Sequence, residues 1–315
     1  MRIFFSVDVH GATAVWRKWL KVPELYKVDV LMLCGDLTGK VLVPIVKQKN
    51  GKYKVSYGEE KLSLVTESEI RRVEKKFSDM GIYTYRCDEE EIKLLQHDSR
   101  KVDTIFKRKI RERMIEWLDL LVSKVDTRSF KTIVMPGNDD DYVIDDIIRD
   151  YEDKGVIWCL ERVIEIDGVE IISLAHSNST PWSTPREASE AELLQMIESL
   201  VVRVKDVRRT IFNFHCPPYN TLIDLAPKLD KNLHPVVEVG GMEYVHIGSK
   251  AVREAIERYQ PLLGLHGHVH ESPGIAKIGR TICINPGSEY TEGILKGYVI
   301  EITNGKLNNY WRVEG

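Results

Sequence analysis

Histidine, aspartate and asparagine recur in short clusters along this chain: Asp8-Val9-His10, Gly35-Asp36, Gly137-Asn138, His215, and Gly267-His268-Val269-His270. Imidazole nitrogens together with carboxylate and amide oxygens make a ligand set suited to Mn, Fe, Zn, Ni or Co, whereas Ca prefers oxygen alone. Singly each cluster is weak, since an Asp-x-His is ordinarily a turn or a cap. Together they share a setting: each follows an apolar run that reads as a strand. Strand ends are where an α/β sheet assembles a site from distant segments. In an extended segment residues two apart point the same way, so Asp8 with His10, and His268 with His270, can aim at one place. Gly11, Gly35, Gly137 and Gly267 allow tight turns beside them.

The elements that must position these residues alternate in type. The spacing predicts strands over Arg2–Val7, Val28–Leu33, Lys131–Met135, Val156–Trp158, Val163–Ile166, Val169–Leu174, Thr210–Phe214 and Leu262–Leu265. Closing strands are expected at Thr281–Ile284, Gly297–Ile302 and Lys306–Val313. Helices are expected near Ala12–Leu20 and Ser249–Tyr259, and Thr184-Pro185-Arg186-Glu187 reads as a helix start. This is an α/β layered pattern. Residues 40–125 differ in character. Two strand-like runs flank Asn50-Gly51, a hairpin signal, and charged helical stretches follow at Glu67–Met80 and Asp103–Val125. In the second, Ile105, Ile110, Met114, Trp117, Leu118 and Leu121 recur at near-helical spacing, as on a helix packing its apolar side against the body. The sharper expectation is that 40–125 is an inserted cap on a domain spanning 1–315.

Bulk properties narrow the class. With 315 residues, 43% of them hydrophobic, the chain can bury a full core. A net charge of -3 does not suggest a general nucleic-acid binder. The opening MRIFFSVDVHG lacks the pattern of a signal peptide, and no apolar run is long enough to span a bilayer. Cys34, Cys87, Cys159, Cys216 and Cys283 are odd in number and scattered, as expected of reduced thiols in a cytoplasm.

The order D-x-H, G-D, G-N, H, G-H-x-H resembles the calcineurin-like metallophosphoesterase superfamily, and the match runs from Asp8 to His270. The stretch HIGSKAVREAIERYQPLLGLHGHVHESPG, with INPGSEY after it, resembles more narrowly the Icc-related predicted phosphoesterases common in archaea. The resemblance implies a four-layer α/β/β/α sandwich and two divalent metal ions. Asp8, His10 and His270 would hold one, Asn138, His215 and His268 the other, and Asp36 would bridge them. Such a pair clamps a phosphoryl group and acidifies a bridging water that attacks phosphorus. The implied substrate is a phosphate ester, either a small molecule or a nucleotide, with a phosphodiester favoured.

One position departs from the pattern. The family's third motif is usually GNH followed by Asp or Glu, and the histidine, which would protonate the leaving group, is Asp139 here. Either its environment keeps Asp139 protonated, or the reaction proceeds without that acid. His246 is a candidate substitute acid or substrate contact. His176 and Asn178, in the loop after Val169–Leu174, and Ser288, after Thr281–Ile284, are candidate substrate contacts. His266 is a candidate for orienting a ligand, and Cys216 reads as a small buried residue. Two other functions stay open: a nuclease of the same superfamily, which would need a basic groove, and a degenerate fold that binds or scaffolds, which Asp139 alone favours. The sequence names no oligomeric state.

Overall fold

In the computed structural model, which describes residues 1–238 and 241–315, the apolar runs ahead of the polar clusters become the central strands of two six-stranded sheets. The first sheet runs Lys306–Glu314, Lys296–Thr303, Arg2–Ser6, Val30–Cys34, Lys131–Met135, Val156–Ile157. The last four strands are parallel to one another and the first two antiparallel. The second sheet runs Gly274–Ile278, Thr281–Asn285, Leu263–Leu265, Thr210–Phe214, Val169–Leu174, Val163–Ile166, with its four middle strands parallel and its edges antiparallel. Val30–Cys34 and Thr210–Phe214 are buried at every position. A parallel strand covered on both faces has no solvent side to alternate toward, so its sequence is a continuous apolar run.

Alternation survives in which layer each residue meets. Ile211 enters the core shared with the first sheet. Phe212 and Phe214 face the helices Glu190–Val201 and Lys250–Tyr259, packing with Leu193, Ile197, Val252 and Ile256. Asn213 lies between the sheets, where its amide donates to Ser173 Oγ at 3.0 Å. Beyond the first sheet pack the helices Thr13–Trp19 and Ser99–Lys124, with Trp16 stacked on Trp117 at 4.6 Å between centroids. The result is the four-layer α/β/β/α sandwich. The parallel strands of both sheets end at one edge, and that edge carries all the polar clusters.

The segment expected as an insert divides in two. Val41–Lys47, Tyr53–Tyr57, Glu60–Leu64 and Ile82–Asp88 form a separate four-stranded sheet. With the helix Glu67–Asp79 it encloses a small core of its own, including Val43, Ile45, Val55, Ile70 and Phe77. That helix starts where Thr66 and Glu69 cap each other's backbone N–H groups, a reciprocal capping box. The following long helix begins at Ser99, capped by Asp98, and its Ile110, Met114, Trp117, Leu118 and Leu121 belong to the main core instead. Neither Glu60–Leu64, Ile82–Asp88 nor the short helix Glu89–Leu95 was apparent in the sequence pattern. Glu60–Leu64 and Glu89–Leu95 are dense in charge, which masks their buried positions, and Ile82–Asp88 does not alternate cleanly.

The helix start expected at Thr184–Glu187 is a turn, and the helix begins later, after Ser189. Tertiary bonds override the local signal. Glu187 accepts from Thr184 N and from the Thr180 and Thr184 hydroxyls. The fully buried Arg186 donates to the Asp140 carbonyl and to Asp145. Among the described residues no helix is long and apolar enough to cross a membrane.

Candidate metal centre

The loops that follow the strands are zipped to one another. Asp8 N donates to Gly35 O at 3.0 Å, His10 N to Asp36 O at 2.9 Å, and Gly35 N to Met135 O at 2.7 Å. Within the second sheet, Gly267 N donates to His215 O at 2.9 Å, and across the sandwich His268 N donates to Asp8 Oδ2 at 3.0 Å. Asp140, buried within the run Asp139–Asp141, is the hub of the first sheet's side. Its carboxylate accepts from Leu37 N, Thr38 N, Thr38 Oγ1 and Gly137 N at 2.7–2.9 Å, tying the Asp36 loop to the Asn138 loop.

The expectation that extended alternation aims Asp8 with His10, and His268 with His270, is corrected here. Asp8 (φ 54°), His10 (φ 39°), Asp36 (φ 49°) and His268 (φ 66°) all adopt left-handed backbone conformations. Non-glycine residues there are strained and persist only where the surroundings over-determine them. Turning loops, not a pleat, aim these side chains. Glycine serves close approach as much as turning. A Cβ on Gly35 (φ 105°) would lie 1.9 Å from His215 Nδ1, and one on Gly137 would lie 2.2 Å from Asp36 Oδ1.

The loops bring the side chains into overlapping groups with the geometry of metal ligands: Asp8, His10 and His270; Asp36, His215 and His268; and His10, Asp36 and Asp139. Asn138 joins the second group, its Oδ1 lying 2.8 Å from His268 Nδ1 while its amide donates to Thr184 Oγ1 at 3.0 Å. His10 Nε2 and His270 Nε2 meet at 3.0 Å. His215 Nε2 stands 3.4 Å from Asp36 Oδ1 and 3.7 Å from Asp8 Oδ1, without hydrogen-bond geometry to either.

Electrostatics show what the cluster needs. Burial drives His10 well below its ordinary pKa, and drives His268 to about 3 and His270 to about 4, so their rings are neutral and present lone pairs. Burial would lower His215 too, but Asp36 and then Asp8 raise it to about 9. Burial works against ionisation of Asp36, yet the charge of His215 holds it well below the usual carboxylate range. Asp8 Oδ1, His10 Nδ1 and both ring nitrogens of His215 are buried with no hydrogen-bond partner. Buried polar atoms rarely go unpaired. Lone pairs that converge from neutral imidazoles and carboxylates are satisfied by cations. The residues present therefore fit a divalent metal pair.

Asp139 lies at the mouth of this cluster. Its backbone N donates to Asp36 Oδ1 at 3.0 Å, and its carboxylate is in direct contact with the Lys40 ammonium. Burial and the charge of Asp36 push its carboxyl up to about 7, against the pull of Lys40. Both line an open cleft of about 420 Å³ with Asp36, Asn138, His268 and His270. The other expected contacts lie outside that lining. His246 Nδ1 lies 2.8 Å from the buried Asp224 carboxylate, which accepts, and the ring meets Tyr219 edge-on. His176 lines a different cavity of about 210 Å³ with Tyr142, Trp158 and Arg186. Asn178 is occupied in structure, donating to Ile247 O and accepting from Cys216 Sγ. Ser288 donates to Asp8 O at 2.6 Å, so it braces a ligand loop. His266 lies within hydrogen-bond distance of Phe214 O and Cys216 O through Nδ1, bracketing His215 from behind.

Sequence reasoning missed Lys40, Asp140, Thr184, Trp182 and Tyr290, whose ring lies 4.7 Å from that of His10. Lys40 sits four residues past Asp36 in the same loop, which is the one local signal that pointed to it.

No family model matches the chain. An uncharacterised protein of Methanocaldococcus jannaschii, MJ1162, is 31% identical over 158 residues, covering 50% of this chain and 63% of that protein. The crystal structure of TT1561 of Thermus thermophilus aligns over 100% of this chain and 97% of its own, at 13% identity and a TM-score of 0.54. The calcineurin-like phosphoesterase YfkN of Bacillus subtilis aligns over 100% of this chain and 90% of its own, at 10% identity and a TM-score of 0.40. At such identities a likeness to solved structures concerns the fold alone. The four-layer sandwich carries the D-x-H, G-D, G-N, H and G-H-x-H motifs in order at its strand ends, and its structural neighbours include a calcineurin-like phosphoesterase.

Proposed function

We propose that the protein is a phosphoric-ester hydrolase that works with two divalent metal ions and favours phosphodiesters. The observation that carries this reading is the buried cluster of converging, unpartnered ligand atoms at the shared strand-end edge. In it Asp8, His10 and His270 would hold one ion, Asn138, His215 and His268 the other, and Asp36 would serve both. When bound, the pair supplies Lewis acidity toward a phosphoryl group and lowers the pKa of water. Mn, Fe, Ni, Zn and Co all suit the donor set.

The chain's own residues shape the rest. Ser288 and the zipped loops hold Asp8 in place, and Asp140 fixes the Asp36 loop against the Asn138 loop. Lys40 cancels the charge of Asp139, which would otherwise repel an anionic substrate, and brings an ammonium donor into the cleft. With its carboxyl pushed up to about 7 even against Lys40, Asp139 can hold a proton for the leaving group near neutral pH. A cytoplasmic setting belongs to the same reading, since all five cysteines are buried and unpaired. A small-molecule or nucleotide ester suits a cleft of this size.

The test is hydrolysis of bis-p-nitrophenyl phosphate and p-nitrophenyl phosphate by chelator-stripped protein, with each metal restored separately. Metal-restored turnover, faster on the diester, supports the proposal. Two bound metals per chain without turnover of either ester would favour the second reading, a binding or scaffold protein on the same fold, which the replacement of histidine by Asp139 allows.

A further inference from the structure

The cleft beside the metal cluster has two unlike ends. One holds Asp36, Asn138, Asp139, His268, His270 and Lys40. The other is apolar: Trp182, Ala226, Pro227, Leu229, Leu233 and Pro235 line it. Trp182 stands out among the tryptophans. Trp16, Trp19 and Trp117 are fully buried, with Trp16 against both of the others, Trp158 lies under the Arg149 guanidinium, and Trp311, 36% exposed on the strand Lys306–Glu314, is not part of the cleft lining. The indole of Trp182 is 59% exposed, and among the described residues neither ring nor cation packs on it. Its loop is nonetheless fixed: Trp182 N donates to Thr180 Oγ1 at 3.2 Å, and that hydroxyl donates to Glu187 at 2.5 Å. Leu233, also in the lining, is 43% exposed. A large apolar side chain held open to water forgoes burial, and a fixed aromatic face beside a charged site is what a flat ring stacks upon.

We infer that this cleft selects phosphate esters carrying a flat aromatic ring, which stacks on Trp182 against the Leu229–Leu233 wall while the phosphoryl group sits at the metal cluster near Lys40. The inference rests on the hydrolase reading for the position of the phosphoryl group and adds the substituent. Length supports it: the same continuous cavity of about 420 Å³ includes both ends, room for one ring-bearing ester and not for a folded partner.

Binding without chemistry tests it. Calorimetry on metal-loaded protein would compare phenylphosphonate, hexylphosphonate and methylphosphonate, none of which has an ester bond to break. Stacking on an exposed aromatic should make phenylphosphonate bind about tenfold tighter than methylphosphonate. Trp182→Ala should erase that preference and Trp182→Phe should restore most of it, with methylphosphonate affinity unchanged in both. Trp182 is exposed, so neither variant threatens the fold. Equal binding of phenyl- and methylphosphonate, or a phenyl preference that survives Trp182→Ala, would overturn the inference and leave the hydrolase reading standing. Hexylphosphonate binding as tightly as phenylphosphonate, regardless of Trp182, would assign the wall to acyl chains and likewise overturn it. Failure of all three to bind metal-loaded protein would overturn both.

Discussion

Asp140 gives the sharpest energetic prediction. Its carboxylate is fully buried and accepts four hydrogen bonds, three of them from backbone N–H groups of the two loops that carry Asp36 and Asn138. Asp140→Ala leaves Leu37 N, Thr38 N and Gly137 N facing a small void. Each stranded buried donor costs roughly 1–3 kcal/mol. Partial relaxation and water entry recover some of this, so we expect a net loss of about 3–5 kcal/mol, at the upper end of single-residue effects. Asp140→Asn keeps one acceptor oxygen and turns the other into a donor facing donors, so it should lose about 2–4 kcal/mol by the same count. The assay is urea unfolding of chelator-stripped protein, which separates loop bracing from metal linkage. In metal-loaded protein both variants should also bind their ions more weakly, because the Asp36 and Asn138 loops are no longer held in register. A metal-free Asp140→Ala protein within about 1 kcal/mol of the parent would refute the claim that these bonds brace the site.

Two further predictions follow from the same coordinates. Lys40→Ala removes the ammonium that opposes Asp139 once that carboxyl is ionised, and at about pH 9, above its pKa of about 7, should lower kcat/KM on an anionic diester by about 10–100-fold. The double variant Lys40→Ala with Asp139→Ala should recover part of that loss, and steady-state kinetics on the four proteins of the cycle would show whether it does. Burial pushes the thiols of Cys159, Cys216 and Cys283 up to about 12 and that of Cys87 to about 11. A raised thiol pKa means thiolate is scarce below it, so native protein at pH 8 should label negligibly with a thiol reagent, while denatured protein labels all five cysteines. Rapid labelling of a native thiol would contradict that burial.

The sandwich and the polar clusters at its strand ends were legible in the sequence because both leave local marks. Val30–Cys34 is apolar throughout and Thr210–Phe214 is centred on Ile211, Phe212 and Phe214, and each gives way at once to Gly-Asp or to histidine. What was not legible depends on contacts between distant segments. Lys40 matters because it meets Asp139, which follows another strand, and nothing near Lys40 marks it beyond its distance from Asp36. The turn at Thr184–Glu187 carries a helix-start pattern, but Arg186 is bound to Asp145 and to the Asp140 carbonyl instead. The strand Ile82–Asp88 alternates too imperfectly to read alone, since Ile82 and Tyr83 are both buried. His176, Asn178 and His246 share a sequence signal with the ligands, a polar residue near a strand end. Asn178 and His246 hold other loops in place, and His176 faces another cavity.

The central claim is that the strand-end cluster is a two-metal site with Asp36 serving both ions. Metal content per chain, measured by mass spectrometry after loading with Mn and removal of free metal, tests it most directly in parent, Asp36→Asn and His215→Ala proteins. The account predicts two ions per chain in the parent and fewer than one firmly held in Asp36→Asn, with His215→Ala losing one site preferentially. Two ions retained by Asp36→Asn, or none bound by a folded parent, would contradict it.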